Sequence, residues 1–258
     1  MRMCACRGTA GFAHESCLAE QAKILMEEVE ENNLGWEVMH ERLQRWHKCG
    51  LCEQDYHGVV RCALGWACWK TYRGRPEEDV PRRGAMRLLG NGLYAAKYYE
   101  DALSAWEAEL AMQRRLGSSE GETLIVQGNL ASTYQELGRP ESALLMQRDV
   151  YHGTSKLNGE EDGETLREAS NYAAALIGLN HFKEAMSFLR RQIPVARRVL
   201  GLEHDLTLRF RDEYAQCLYQ DPSASREDVA EAVAIFEDVY RRTRRIFGDG
   251  HPNWASVQ

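Results

Sequence analysis

Thr123-Leu124, Asn129-Leu130-Ala131 and Gly159 return 42 residues later as Thr165-Leu166, Asn171-Tyr172-Ala173 and Gly201, and this return decides the fold. The same interval separates Gly117 from Gly159 and carries Thr165, Leu166 and Ala173 on to Thr207, Leu208 and Ala215. A second set, Ala102, Ala143, Ala185 and Ala232, keeps a closely similar step before its last interval. That interval, like Gly201 to Gly248, stretches to 47 residues, and the loop Asp221-Pro222-Ser223-Ala224-Ser225 has room for the extra ones. A fixed period of this size signals a solenoid, whose units bury their apolar faces by stacking on one another.

Each unit holds two helical stretches. In the best-defined one, residues 165–179 come first and residues 181–200 follow the turn Gly178-Leu179-Asn180. Ala131, Ala173, Ala143 and Ala185 fall where paired helices approach closely and a larger side chain would wedge them apart. Gly117 and Gly201 follow the basic last turns Arg114-Arg115 and Arg197-Arg198. This is the pattern of a helix end with an unstrained left-handed residue and cations on the negative end of the dipole. The expected architecture is therefore mainly α, with an α-solenoid of helix hairpins over residues 84–258 that holds about four units, the last incomplete.

The matching residues include Asn129-Leu130-Ala131-x-x-Tyr134-x-x-x-Gly138-x-x-x-x-Ala143 and Leu157-x-Gly159. Together with Glu184-Ala185 and Leu200-Gly201 they resemble tetratricopeptide repeats, of the longer kinesin-light-chain-like kind. Gly248-Asp249-Gly250-His251-Pro252 looks like the opening loop of a further unit. Stacked helix pairs of this family form a groove lined by first-helix side chains, suited to proteins or extended peptides. In that register Asn129, Ser132, Gln135, Arg167, Asn171, Arg209, Glu213 and Gln216 would face the groove. An Asn amide both donates and accepts, so Asn129 and Asn171 either hold a partner's backbone or bridge neighbouring helices. The mixed signs select no ligand charge, and Arg241, Arg242, Arg244 and Arg245 read as a solvated helix end.

Composition sets bounds on everything else. The chain has 258 residues, 44% hydrophobic and 28% charged, which fits one large or two ordinary globular domains. A formal charge of -7 argues against a nucleic-acid binder or an anionic-membrane binder. No apolar run reaches the roughly 20 residues of a membrane span; the best, residues 59–69, is short and interrupted by Arg61. Met1 to Cys6 lacks the apolar stretch of a secretory signal, so the expected location is the cytoplasm, with the nucleus left open. There is no Gly-rich phosphate loop and no Gly-x-Ser-x-Gly elbow, and hence no sign of small-molecule catalysis.

Eight cysteines are the unusual entry in that composition, and Cys4, Cys6, Cys17, Cys49, Cys52, Cys62 and Cys68 fall within the first 68 residues. In a reducing compartment, clustered cysteines with a histidine among them hold metal more often than disulfides. Cys4-x-Cys6, His14-x-x-Cys17 and Cys49-x-x-Cys52 are three close pairs, more than one tetrahedral site takes and fewer than two need. Cys62 and Cys68 sit in the apolar stretch and read as core. Between the pairs, residues 18–31 and 36–46 have helical spacing, interrupted at Asn32-Asn33-Leu34-Gly35.

The run Cys4-Ala5-Cys6-Arg7-Gly8-Thr9, His14-x-x-Cys17-Leu18 and Cys49-x-x-Cys52-x3-Tyr56 resembles a RING-CH (RING-variant) zinc finger, with a plant-homeodomain finger as the nearest rival. The resemblance implies that Cys4, Cys6, Cys49 and Cys52 complete one zinc site. It also implies that His14 and Cys17 are half of a second, whose first ligand pair is missing. The expected layout is a zinc module over 1–72 with a helical insertion, a linker over 73–83, then the repeats. Such fingers recruit a ubiquitin-conjugating enzyme. The two readings are a zinc-binding interaction protein and a ubiquitin ligase whose repeats receive the substrate. Both ends interrupt a motif, the expected mark of a longer gene product.

Overall fold

The computed structural model describes residues 14–247, backbone only at the last, and divides the chain into two compact units, residues 1–137 and 138–258. Every long element among the described residues is a helix.

The first unit opens with α1 (Glu15–Glu31) and α2 (Trp36–Leu43), close to the two helices expected from spacing. A 3-10 turn at Gln44–Trp46 follows, and Lys48 and Asp55 then pair as an isolated antiparallel bridge. Next come α3 (Gly58–Tyr72), α4 (Val80–Ala95), α5 (Tyr99–Leu116) and α6 (Glu120–Glu136). The starts of α4 and α6 are written locally. Asp79 accepts from the Arg82 amide with Pro81 behind it, and Ser119 and Glu122 form a reciprocal capping box.

The expected linker, residues 73–83, is the connection of a tight helix pair and the start of α4. Arg75 reaches back to Glu30 of α1 at 2.5 and 3.0 Å, and Arg115 of α5 holds Glu77 at 2.8 Å. The α3 and α4 backbones meet closely because Gly65 and Gly92 leave no Cβ between them. Helix-on-helix packing is therefore present well ahead of the expected start at 84: α3 pairs with α4, and α1 packs on α3. Gly74 and Pro76 turn the chain within this pinned loop.

The second unit holds α7 (Pro140–Asn158), α8 (Gly163–Gly178), α9 (Phe182–Leu200), α10 (Asp205–Gln220) and α11 (Arg226–Phe247). The expected pair over 165–179 and 181–200 is thus α8 and α9. They join through Asn180, which takes the left-handed conformation at φ 60° while His181 N donates to Leu176 O at 2.9 Å. Lys97 fills the equivalent place between α4 and α5 at φ 65°, a position that costs a side-chain-bearing residue roughly 1 kcal/mol.

The repeating alanines sit where the period put them. Ala131, Ala143, Ala173, Ala185, Ala215 and Ala232 are all 2% exposed or less. In the second unit Leu166, Leu176, Phe188, Leu189, Phe210 and Leu218 fill the core around them. Gly117 ends α5 in the left-handed conformation as expected. Gly159 and Gly201 instead pair positive φ with ψ of 162° and 166°, an extended conformation open in practice only to glycine.

Candidate functional site

Two places carry residues of functional chemistry: the first-helix faces of the repeats and the cysteine turn of the first unit.

On α6, Asn129 and Ser132 are half-buried and Gln135 is exposed. Ser132 spends its hydroxyl on Gly128 O at 3.1 Å, one turn back on its own helix, so it has less to offer a ligand. On α8, Arg167 is exposed and held by Glu164 through two bonds of 2.5 and 2.8 Å. Asn171 donates to Glu168 Oε2 at 3.3 Å, and Gln147 of α7 donates to the same oxygen at 2.6 Å. Glu168, which spacing did not single out, thus ties α8 to α7 and engages Asn171 in that tie.

On α10, Arg209 is half-exposed and Gln216 half-buried, both in places a ligand can touch. Glu213 differs from the expected groove residue. Only 6% exposed, it lies between α10 and α8, with Oε1 accepting from Ser170 Oγ at 2.9 Å and from Arg209 Nε at 3.0 Å. The wheel position is correct, but the longer acidic side chain turns into the helix junction where its hydrogen-bond partners are. Burial pushes its carboxyl up to about 7, against Arg209 and Ser170, which pull it down. Its registry mates are the neutral Asn129 and Asn171, and that change of residue type was the available signal.

A second buried acid escaped notice altogether. Glu109 on α5 is 1% exposed, bonded by Arg87 Nε of α4 at 3.2 Å and by Gln113 at 3.4 Å. Burial raises its carboxyl and Arg87 opposes the shift. Its signal was an acid set among Leu103, Trp106 and Leu110 on the apolar stripe. The basic run ending α11 behaves as a solvated helix end: Arg242 pairs with Asp238 at 2.8 Å, and Arg245 pairs with Glu203.

In the cysteine turn, Cys49 N donates to Gln54 O at 2.9 Å and Glu53 N to Cys49 O at 3.0 Å, folding Cys49-Gly50-Leu51-Cys52 into a tight loop. The Leu51 amide points at Cys49 Sγ, 3.4 Å away, a donor that favours the thiolate a metal requires. His47 Nδ1 lies 3.1 Å from Asp55, bracing the base of the loop. Cys49 is buried and Cys52 half-buried, at the two-residue gap common in metal-binding cysteine pairs.

Cys4 and Cys6 lie outside the described residues. His14 and Cys17 stand exposed at the start of α1, where His14 is the N-cap, and among the described residues no three potential ligands converge. Cys62 and Cys68 are buried, and desolvation raises both thiols above the ordinary range, as suits core packing. Cys217, likewise buried, is pushed up to about 12 by desolvation.

Comparison with known proteins bears on the repeats. The tetratricopeptide repeat family model matches residues 123–163 and 224–253. No curated protein matches the chain in sequence. A solved structure of nearly identical TPR-like repeats from a Podospora anserina kinesin light chain superposes with a TM-score of 0.57 at 20% identity, covering 91% of this chain and 98% of that one. BtubC (BKLC) from P. vanneervenii gives 0.63 at 13% identity, covering 93% and 95%. Bacillus thuringiensis PlcR, solved with the peptide PapR7 and DNA, gives 0.52 at 14%, covering 89% and 75%. These coverages exceed the two thirds of the chain where repeats were expected, so the likeness in fold runs on into the N-terminal helices. No helix among the described residues is long and apolar enough to cross a membrane. The chain carries tetratricopeptide repeats at the matched residues, and its mainly helical fold is similar to those of these TPR-like repeat structures.

Proposed function

We propose that this protein is a binding scaffold whose tetratricopeptide repeats hold a protein partner through an extended peptide on their first-helix faces. The observation that carries the reading is the contrast around α8 and α10. Ala169, Ala173, Leu208 and Ala215 are buried against neighbouring helices, while Arg167, Asn171, Arg209 and Gln216 keep one polar face in solvent. PlcR, similar in fold, was solved with a peptide bound.

The test is a peptide selected from a random library against the chain, with its affinity then measured on variants. Asn171→Ala combined with Arg209→Ala should weaken binding by about tenfold or more, roughly 1.4 kcal/mol. Arg198→Ala, on the last turn of α9 and 61% exposed, should leave it unchanged. Equal affinity for all three proteins would count against the first-helix face.

The scaffold reading includes a zinc-held N-terminal part, supported by the Leu51 amide aimed at Cys49 and by the spacing of Cys4 and Cys6. Cys4, Cys6, Cys49 and Cys52 would hold the ion, which would clamp the loop to the chain's start. Metal analysis should find about one tightly bound zinc per chain, lost in Cys49→Ser and in Cys52→Ser. A metal-free native protein would remove zinc from the proposal. Ubiquitin ladders in an autoubiquitination assay with a panel of conjugating enzymes would shift the reading from scaffold to ligase.

A further inference from the structure

We propose that the junction between α8 and α10 is a proton-sensitive joint, packed best when the buried Glu213 side chain is protonated and loosened when it ionises. Glu213 stands where the preceding first helices carry neutral Asn129 and Asn171, so a residue that can charge has replaced an amide at a repeat-to-repeat contact. One of its oxygens is bonded to Ser170 and Arg209, while the other, Oε2, is buried without a hydrogen-bond partner. An ionised carboxylate in that position carries an unmet solvation demand.

The surroundings compensate it only in part. Arg209, on α10 itself, is 48% exposed, so water screens the attraction it offers. Asp212, also on α10, adds a like charge, and the nearby Cys217 thiol is neutral. From α8 the bonded group is the Ser170 hydroxyl, which can donate to either protonation state. Arg190 of α9 and Asp238 of α11 are engaged by Tyr214 and Arg211 of α10 instead.

The sign follows from proton linkage. The folded-state carboxyl, raised to about 7 by burial, binds its proton more tightly than in the unfolded chain. Its contribution to stability is complete below the ordinary carboxylate range and is lost as pH rises through about 7. Relief comes if α10 shifts enough for water to reach Oε2, and that movement is the loosening.

Hydrogen exchange of the α8 and α10 amides, corrected for intrinsic rate, tests the joint on the full chain at pH 5.5 and pH 8. The wild type should lose about tenfold in protection between the two pH values. Glu213→Gln should hold its protection at pH 8 and flatten the profile. Parallel profiles for the two proteins would overturn the joint. Direct titration of the Glu213 side-chain carbon by NMR gives a second readout that does not depend on the variant, and a midpoint below 5 would overturn it as well.

Discussion

Gly92→Val should destabilise the first unit by about 3 kcal/mol, the upper end for overpacking a close-packed interior. A Cβ at Gly92 would stand 2.7 Å from Arg61 O and 2.9 Å from the Cys62 Cα, and one at Gly65 would stand 2.7 Å from Leu88 O. The two glycines face each other's helix diagonally, so α3 and α4 touch backbone to backbone at both points. No rotamer change relieves such a contact; the helices must separate, and Cys68 and Tyr72 of α3 with Ala85 and Leu88 of α4, which share one cluster, lose neighbours. Even Gly→Ala, which within a helix ordinarily gains up to about 1 kcal/mol, should lose stability at these two positions. Gly121→Ala is the matched control. It lies in the first turn of α6 with nothing within 4 Å of its Cβ, so it should be neutral or slightly stabilising. Urea unfolding followed by helical circular dichroism reads all four variants. A Gly92→Val midpoint equal to that of Gly121→Ala would mean the α3–α4 seam is not close-packed.

These glycines also show where sequence reasoning stops. Alanine at a fixed period announces close helix approach, and Ala131, Ala173 and Ala215 were placed correctly because the period repeats in the chain itself. Gly65 and Gly92 do the same work once, outside the period, and a glycine inside an apolar stretch reads equally well as a helix breaker. The α3–α4 pair was therefore invisible, and its loop passed for a linker. The candidate site divides in the same way. That Asn171, Arg209 and Gln216 are not buried follows from registry alone, because a helix face is fixed by spacing of 3 and 4 residues. Glu213 does not, because whether a long polar side chain points outward or into a junction depends on partners from another helix, here Ser170. Glu168 and Gln147 were missed for the same reason: their bond joins residues of different helices with no local motif. The Cys49-Cys52 loop was legible as a turn, and its aimed amide follows from backbone geometry that no spacing rule supplies.

Phe210→Ala should cost the second unit about 3–5 kcal/mol, the range for removing a fully buried aromatic ring. Phe210 is 0% exposed and belongs to α10, which packs on α8, α9 and α11 together. Its cluster includes Leu176 and Ala173 from α8, Leu189 from α9 and Ala232 from α11, so the void would open where several helices converge. The same cluster holds the stacked Tyr151 and Tyr172 and the edge-on Phe188, ring pairs that stiffen the core as a whole. Ala173, Ala215 and Ala232 are fully buried in the same cluster, and small side chains there let the helices pack closely, which limits relaxation and keeps the cavity term large. Against a stability of about 5–15 kcal/mol for an ordinary domain, such a loss should leave α8 to α11 exchanging their amides by whole-unit opening. Phe210→Leu separates the cause: it keeps most of the volume and should recover more than half of the lost stability. Hydrogen exchange and urea midpoints on both variants check this. Equal losses for Ala and Leu would assign the effect to ring-specific contacts and not to the cavity.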